Sequence, residues 1–122
     1  MTDLFDNFDL ATQAAAELTA TTGVEHVVNY RGSGAITPYD IARLPQVGDE
    51  VSYAFNGDAY PCGVIEHISA SGEKIVTSTG RIFRRPRRLL VDRDGREFKR
   101  NQWKADCWSL VQGVHDKRNP HF

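Results

Sequence analysis

The chain has 122 residues, of which 40% are hydrophobic and 25% charged, a composition typical of a folded domain and not of a disordered chain. Residues 1–10 are acidic and lack the basic start of a signal peptide, and the longest run of large aliphatic residues is far too short for a membrane span. The sequence therefore predicts a cytoplasmic protein in which Cys62 and Cys107 are two buried free thiols.

The net charge of −1 conceals a strong division of charge along the chain. Residues 1–70 hold 2 basic and 10 acidic residues, whereas residues 71–122 hold 13 basic and 6 acidic ones. A bipolar chain of this kind can pair its halves internally, pair them between copies, or present one sign of charge to a polyion.

The first 46 residues are predicted to be a helical and extended segment that packs on the rest of the chain. Residues 1–8 mix acids with aromatic side chains, and we expect them to form an arm that docks through those aromatics. Asp9 is a suitable N-cap for the helix that follows. Gly23 is well placed to end this helix, because glycine adopts the left-handed conformation freely.

A strand and a second helix are predicted next. Residues 24–30 are rich in valine and indicate a short strand. Thr37, Pro38 and Asp40 then match a helix start, with a capping threonine, a proline at the first helical position and an acid three residues after the threonine. Pro45 would end this second, short helix soon after it begins.

Residues 47–113 have the pattern of a small β-barrel, with short strands separated by turns. Val51, Tyr53 and Phe55 alternate with smaller side chains, and the turn residues Asn56-Gly57 come directly after them. No helix-length amphipathic segment separates the later strands, so a parallel β-α-β arrangement is not expected.

The remaining segments continue the barrel pattern. Pro61 and Gly63 are expected to bend the second strand at an edge or a bulge, residues 93–95 to turn a hairpin, and residues 108–111 to close the barrel. Residues 114–122 form a polar tail. The predicted fold class is α+β and mainly β, a five- or six-stranded antiparallel barrel with an N-terminal helix and a short second helix.

The segment between residues 74 and 104 carries 11 basic residues against three acids, and eight of the 11 are arginines. A guanidinium forks onto a phosphate or carboxylate with two hydrogen bonds and also stacks on rings. Aromatic residues interleaved with cations are what a stacking platform beside a phosphate-tracking groove requires. The predicted nucleic-acid-binding residues are Arg81, Arg84, Arg85, Arg87, Arg88, Arg96, Lys99 and Arg100 for phosphates, and Phe98 and Trp103 for bases.

Two other interpretations of this basic segment stay open. The arginines would instead contact a protein partner, or they would neutralise the acidic first half of the chain. If about six of them met phosphates, binding would fall steeply with salt, with a log–log slope of roughly −4 to −5.

The motifs of catalysis and of metal binding do not occur in the sequence. The four histidines have no metal-ligand spacing with one another or with the cysteines. Residues 92–97 place acids as a calcium loop begins, but they lack its further ligands and are predicted to be a hairpin turn. Phosphate-binding glycine loops and nucleophile elbows are also missing. We therefore expect a non-enzymatic protein with no metal and no cofactor.

Four short segments carry a resemblance to a known group of proteins. They are residues 57–63 (Gly-Asp-Ala-Tyr-Pro-Cys-Gly), 79–84 (Thr-Gly-Arg-Ile-Phe-Arg), 108–113 (Trp-Ser-Leu-Val-Gln-Gly) and 118–122 (Arg-Asn-Pro-His-Phe). In this pattern residues 47–122 resemble small bacteriophage-encoded proteins with a Tudor- or KOW-like β-barrel. The resemblance implies a phage accessory protein whose barrel binds nucleic acid or protein, and it transfers no functional residue.

The sequence as a whole predicts a non-enzymatic phage or bacterial accessory protein that binds nucleic acid through an arginine-rich face of a small barrel. The alternative is a protein-interaction module that docks on and modulates a host protein, favoured by the bipolar charge and the aromatic arm. A structural homo-oligomer is the third interpretation. No membrane partner is expected.

Overall fold

The computed structural model describes residues 4–32 and 34–118 and divides the chain into two units. Unit 1 comprises residues 1–44 and 88–101, and unit 2 comprises residues 45–87 and 102–122. The first change of unit lies close to the predicted boundary after residue 46. The second change of unit, after residue 87, matches no predicted boundary. It arises because residues 88–101, which contain a hairpin predicted as part of the barrel, belong to unit 1. Expectations for residues 1–3, 33 and 119–122 lie outside the described residues.

The elements of the described residues are numbered in chain order and consist of one helix followed by ten strands, most of them short. Unit 1 contains α1 (Phe8–Thr22), β1 (His26–Tyr30), β2 (Tyr39–Arg43), β7 (Leu90–Val91) and β8 (Glu97–Phe98). Unit 2 contains β3 (Glu50–Phe55), β4 (Asp58–Ile68), β5 (Lys74–Thr77), β6 (Ile82–Arg84), β9 (Lys104–Ala105) and β10 (Trp108–Gln112).

The α1 helix begins two residues earlier than expected and ends where expected. Asn7 is the N-cap, since its side-chain oxygen accepts hydrogen bonds from the backbone N–H groups of Asp9 and Leu10 at 2.8 and 3.3 Å. The prediction of Asp9 as the cap is therefore wrong, and Asp9 instead lies in the first turn, where its charge favours the helix dipole. Gly23, with φ of 73°, ends the helix and confirms the predicted C-cap.

The predicted second helix is wrong, because residues 39–43 form strand β2. This strand pairs antiparallel with β1 along five residues, from His26 opposite Arg43 to Tyr30 opposite Tyr39. Thr37 does not cap a helix; its carbonyl and hydroxyl oxygens accept hydrogen bonds from the Arg31 guanidinium at 3.0 and 3.1 Å. The strand ladder and the burial of Tyr39 outweigh a local capping signal in a segment too short for a stable helix.

The core of unit 1 is a cluster of aromatic rings against the helix. Its buried members are Ala11, Tyr30, Tyr39 and Phe98, and Phe5, Phe8, Val28 and Leu90 pack against them. Phe5 also pairs with Tyr39 through two backbone hydrogen bonds of 2.8 and 3.0 Å. The N-terminal arm thus docks through its aromatic residues, as the sequence predicts.

Unit 2 is a closed antiparallel barrel of six strands, in the order β3-β4-β5-β6-β9-β10 with β10 paired to β3. This confirms the predicted barrel and the mainly β fold class. Inward-facing side chains fill the barrel, and the most deeply buried are Val51, Cys62, Ile65, Ile75 and Phe83. Residues 114–118 of the predicted tail are attached to the barrel, since the backbone of Lys117 pairs with that of Ala59.

A β-bulge bends β4 near its middle and confirms the predicted irregularity. Ser52 lies opposite Pro61 and Glu50 opposite Val64, so β4 contains one residue more than β3 between these pairs. Gly63 occupies the bulge with φ of 83°, and a Cβ added there would stand 1.9 Å from Ser78 Oγ. The position requires glycine for its backbone conformation and for the space that Ser78 takes.

Candidate functional site

The residues predicted to bind nucleic acid are divided between the two units. Unit 2 carries Arg81, Arg84, Arg85, Arg87 and Trp103, and unit 1 carries Arg88, Arg96, Phe98, Lys99 and Arg100. The division also balances the charge. By sequence, unit 1 holds 7 basic and 9 acidic residues, and unit 2 holds 8 basic and 7 acidic ones. The charge asymmetry of the linear sequence is therefore largely cancelled within each unit.

Arg96 is engaged by its own hairpin. Its guanidinium lies 3.3 Å from the Asp92 carboxylate and 2.8 Å from that of Asp94, and it stacks over the Phe8 ring at 4.2 Å. The hydrogen bond that Arg96 donates to Asp94, together with the one it donates to Asp92, raises the pKa of Arg96. This arginine stabilises the β7–β8 turn and is not a free cation.

Asp92 is the buried centre of the same turn. Its side chain accepts hydrogen bonds from the Tyr39 hydroxyl at 2.8 Å and from the backbone N–H groups of Asp94 and Arg96 at 3.0 and 2.9 Å. Burial raises the pKa of Asp92, but the hydrogen bonds from Tyr39 and Arg96 outweigh burial and hold that pKa below its usual value. Burial and the bond to Asp92 raise the pKa of Tyr39. The carboxylate therefore holds β2 to the β7–β8 hairpin.

The two aromatic residues predicted to stack on bases belong to hydrophobic cores. Phe98 is 8% exposed and stacks on Tyr30 with ring centroids 5.5 Å apart. Trp103 is 7% exposed, donates its indole N–H to the carbonyl oxygen of Gly72 at 2.8 Å, and has Arg85 over its ring at 4.6 Å. Little of either ring surface is therefore exposed for a base to stack on. Alternating arginines and aromatics in the sequence fit such internal stacking as well as they fit a ligand platform.

The other cations predicted to bind phosphates differ in their burial and in the groups that they contact. Arg85 is half-buried, and burial lowers its pKa. Arg87 is exposed and lies 3.7 Å from the Glu73 carboxylate, a loose ion pair. Arg100 donates to the carbonyl oxygen of Arg88 at 3.3 Å, and the Arg88 and Lys99 side chains are exposed.

A second cluster of aromatic rings occupies the barrel and engages Arg81. Tyr53 and Tyr60 stack with centroids 5.2 Å apart, and Trp108 meets both edge-on at 4.8 and 5.6 Å. Arg81 lies 3.7 Å over the Tyr53 ring, and Arg118 lies 3.9 Å over the Tyr60 ring. These rings pack directly against one another, so the cluster encloses no space for a ligand.

Strand pairing places three cations in a row on the outer face of the barrel. Arg84 on β6 lies opposite Lys74 on β5 and opposite Lys104 on β9. Residues directly opposite on neighbouring strands point to the same face, with Cβ atoms about 4.5–5.5 Å apart. We call Lys74, Arg84 and Lys104 the basic row. Throughout residues 4–32 and 34–118, no carboxylate lies within 4.0 Å of any of its three charged groups.

The same cross-strand register continues beyond the basic row with small residues. Lys104 lies opposite Ser109, Ser109 opposite Ala54, and Ala54 opposite Ala59. Above these positions is an open groove of about 950 Å³, which we call the outer groove. Its lining is formed by Ala54, Phe55, Asn56, Gly57, Asp58, Ala59, Lys104, Cys107, Ser109, Val111, Val114, His115, Asp116 and Lys117.

Only Arg84 of the basic row belongs to the set predicted from sequence. Lys74 and Lys104 were counted in the basic segment, but nothing in the linear sequence singles them out. The signal that joins the three residues is the register of β5, β6 and β9, and 20 residues separate Arg84 from Lys104.

The two thiols differ in their surroundings. Cys62 is buried, and burial raises the pKa of its thiol. Cys107 is exposed in the turn between β9 and β10, after Asp106 with φ of 54°. The prediction of two buried thiols is therefore correct for Cys62 and wrong for Cys107.

Comparison with known proteins identifies no family for this chain. No protein-family model, no curated protein and no solved structure matches it. Of the residues described, no helix combines the length and apolar character needed to cross a membrane. The same part of the chain contains no cluster of three or more histidine, cysteine, aspartate or glutamate side chains arranged to hold a metal ion.

Proposed function

We propose that this protein binds nucleic acid and that the basic row of unit 2 is the phosphate-binding element. The observation that carries the proposal is the register that puts Lys74, Arg84 and Lys104 opposite one another without a carboxylate partner among the described residues. Of the predicted arginine-rich face, this proposal keeps Arg84 and adds Lys74 and Lys104.

In the unbound protein, the three neighbouring cations of the basic row repel one another, and this repulsion costs folding free energy. Like charges directly opposite on neighbouring strands are destabilising, by a few tenths to about 1 kcal/mol a pair. An anionic polymer lying across the strands relieves this repulsion and releases its own counterions. A polyanion therefore gains binding free energy from both effects.

The direct test is a titration of fluorescently labelled single- and double-stranded DNA and RNA at several salt concentrations. We expect binding at low salt that weakens as salt rises, because counterion release drives it. Failure of all four probes to bind at low salt would exclude the proposed function.

A pair of matched double variants assigns the binding to the basic row. Arg84→Gln with Lys104→Gln removes two of its charges, and Arg93→Gln with Lys99→Gln removes the same two charge types from exposed positions of unit 1. We expect a large loss of affinity in the first variant and little change in the second. Equal losses would show that net charge alone matters and would overturn the assignment.

A protein-interaction module that docks on a host protein is the second candidate. It is favoured by apolar side chains that unit 1 leaves exposed. They include Leu10 (53%), Leu18 (37%), Leu89 (40%) and Val91 (56%). A pull-down from nuclease-treated bacterial lysate separates the two functions, because a direct protein partner survives the nuclease and a nucleic-acid bridge does not.

The remaining parts of the proposal follow from the sequence. We place the protein among non-enzymatic accessory proteins of phage or bacterial origin that work in the cytoplasm. Purification from its native host, followed by identification of the bound nucleic acid, tests this assignment.

A further inference from the structure

We propose that the outer groove receives an unpaired base, and that the ligand of the barrel is therefore single-stranded nucleic acid. This inference rests on the proposed function and adds to it the class of nucleic acid. It is argued from the position, shape and charge of the outer groove relative to the basic row within unit 2.

Lys104 joins the two features. It lies opposite Arg84 on one side and opposite Ser109 on the other, so it ends the basic row and lines the outer groove. A nucleic-acid chain whose phosphates follow the basic row reaches the outer groove within about the distance between two neighbouring β-strands, roughly 4.8 Å. A backbone at the basic row and a base in the outer groove are thus sterically compatible.

The outer groove has the chemistry of a base site and not of a phosphate site. Its charged lining residues are two acids (Asp58 and Asp116) and two lysines (Lys104 and Lys117), so their formal charges cancel. Asp116 also forms an ion pair with Arg118. A second phosphate gains little there, whereas a flat, uncharged ring loses nothing by entering.

The floor of the outer groove is open and an aromatic residue lies at its rim. Ala54 and Ser109 on the floor are small, and Phe55 at the rim is 49% exposed, with its ring also meeting Trp108 edge-on at a centroid distance of 6.0 Å. Its volume of about 950 Å³ lies within the range of about 300–1,000 Å³ typical of ligand sites. Exposed aromatic side chains bind unstacked bases without regard to sequence.

Base pairing excludes a duplex from this arrangement. In a duplex the faces of the bases are stacked inside the helix, and only unpaired bases can be turned out and stacked on a protein ring. The outer groove would therefore distinguish single strands from duplexes that have the same phosphate charge.

The test separates the outer groove from the basic row with Ala54→Leu, which fills the floor without changing charge. Binding of a labelled oligothymidine of about 12 nucleotides, inside the site sizes known for small barrels, is compared with a duplex of equal length. We expect the wild type to prefer the single strand and Ala54→Leu to lose roughly tenfold in single-strand affinity, the value of one base–aromatic stack, with its salt slope unchanged. Ala70→Leu, at an exposed turn outside the outer groove, is the matched control and should bind as the wild type does.

Three outcomes are decisive. Wild-type affinity in folded Ala54→Leu, with weakened binding in Arg84→Gln, overturns the groove inference and leaves the proposed function standing. Wild-type affinity in both variants overturns both the groove inference and the assignment of phosphate binding to the basic row. Displacement of the oligothymidine by polyglutamate of equal charge and at equal concentration overturns the groove inference, because polyglutamate has no bases.

A second variant covers a failure of Ala54→Leu to fold, as judged by circular dichroism. Phe55→Ser removes the exposed rim ring and is expected to cost single-strand binding roughly tenfold while duplex binding stays the same. Equal losses for both probes, or none, overturn the inference.

Discussion

Tyr53 and Tyr60 lie directly opposite each other on β3 and β4, with their rings stacked and a guanidinium over each ring. Arg81 and Arg118 supply these two cations. Two of the basic residues in unit 2 are thus engaged by the barrel's own aromatic side chains. A count of arginines in the sequence consequently overstates the number that are free to meet a ligand.

We expect Arg81→Gln to lower the stability of the protein by about 0.5–1 kcal/mol, because it removes a cation–π contact at a partly exposed site. Its effect on nucleic-acid binding should be smaller than that of Arg84→Gln, which leaves stability unchanged or slightly raised. Chemical denaturation and binding titrations of the two variants measure both effects. A larger loss of binding in Arg81→Gln would contradict the assignment of Arg81 to the barrel.

Removal of one cation from the basic row should change the salt dependence of binding by a defined amount. Each phosphate contact to a single strand contributes about 0.7 to the log–log slope, so Arg84→Gln is expected to reduce the slope by about 0.7. Arg93→Gln, an exposed arginine of unit 1, should leave the slope as it is. Equal slopes for wild type and Arg84→Gln would mean that Arg84 contacts no phosphate.

Gly63→Ala should destabilise the barrel more than Gly80→Ala does. Both glycines have positive φ, 83° and 86°, so each alanine carries a backbone penalty of about 1 kcal/mol. Only at Gly63 does the new Cβ also collide with Ser78 Oγ, whereas nothing lies within 4 Å of the Cβ at Gly80. Thermal unfolding of the two variants measures the difference, and equal melting temperatures would show that Ser78 moves aside at no cost.

The buried Asp92 predicts a stability that falls in acid. Its pKa is lower in the folded than in the unfolded chain, where an aspartate titrates near 3.9. The unfolded state therefore binds the proton first, so the contribution of Asp92 is complete above about pH 4 and is lost as pH falls through its folded pKa. Melting temperatures between about pH 2 and 7 should fall less steeply in Asp92→Asn than in the wild type.

Tyr39→Phe tests the same network from its other side. The substitution removes the hydroxyl that donates to Asp92 at 2.8 Å and is expected to cost about 1 kcal/mol of stability at neutral pH. This cost should shrink in acid, where Asp92 is protonated. A cost independent of pH would show that the hydroxyl does not stabilise the charged carboxylate.

The exposure of the cysteines predicts two separate rates of alkylation. Cys107 should react with iodoacetamide rapidly in the folded protein, and Cys62 should react only when the barrel opens, because burial both shields its thiol and raises its pKa. Mass spectrometry of native and denatured samples counts the modified sites. Cys107→Ser is the control and should abolish the rapid reaction.

Local chemistry predicts the fold correctly wherever tertiary pairing supports it. Gly23 ends α1 and Asn56-Gly57 turns the β3–β4 hairpin, because positive φ is needed at Gly23, Asn56 and Gly57 and these residue types adopt it easily. The prediction of a second helix is wrong because tertiary pairing opposes the local signal there. The capping pattern at Thr37 is a local signal, and pairing with β1 together with burial of Tyr39 overrides it.

The candidate site is harder to predict because it depends on register. The composition of the basic segment reveals abundant cations, but it does not tell which of them are exposed, stacked on a ring or paired with an acid. Arg84 faces Lys104 only because the chain leaves the barrel at Arg87 and returns at Gln102. The burial of Phe98 and Trp103 is hard to predict for the same reason, since burial follows from tertiary contacts and not from their neighbours in sequence.

The interrupted path of the chain has a consequence for synthesis on the ribosome. Residues 1–44 make most of unit 1, yet Phe98, which packs with Tyr30 and Tyr39, is translated more than 50 residues later. The nascent N-terminal segment therefore lacks the Phe98 and Leu90 side of its aromatic core until the β7–β8 hairpin emerges. Unit 1 is complete only when residue 101 has been made, by which point residues 45–87 of unit 2 have already been translated.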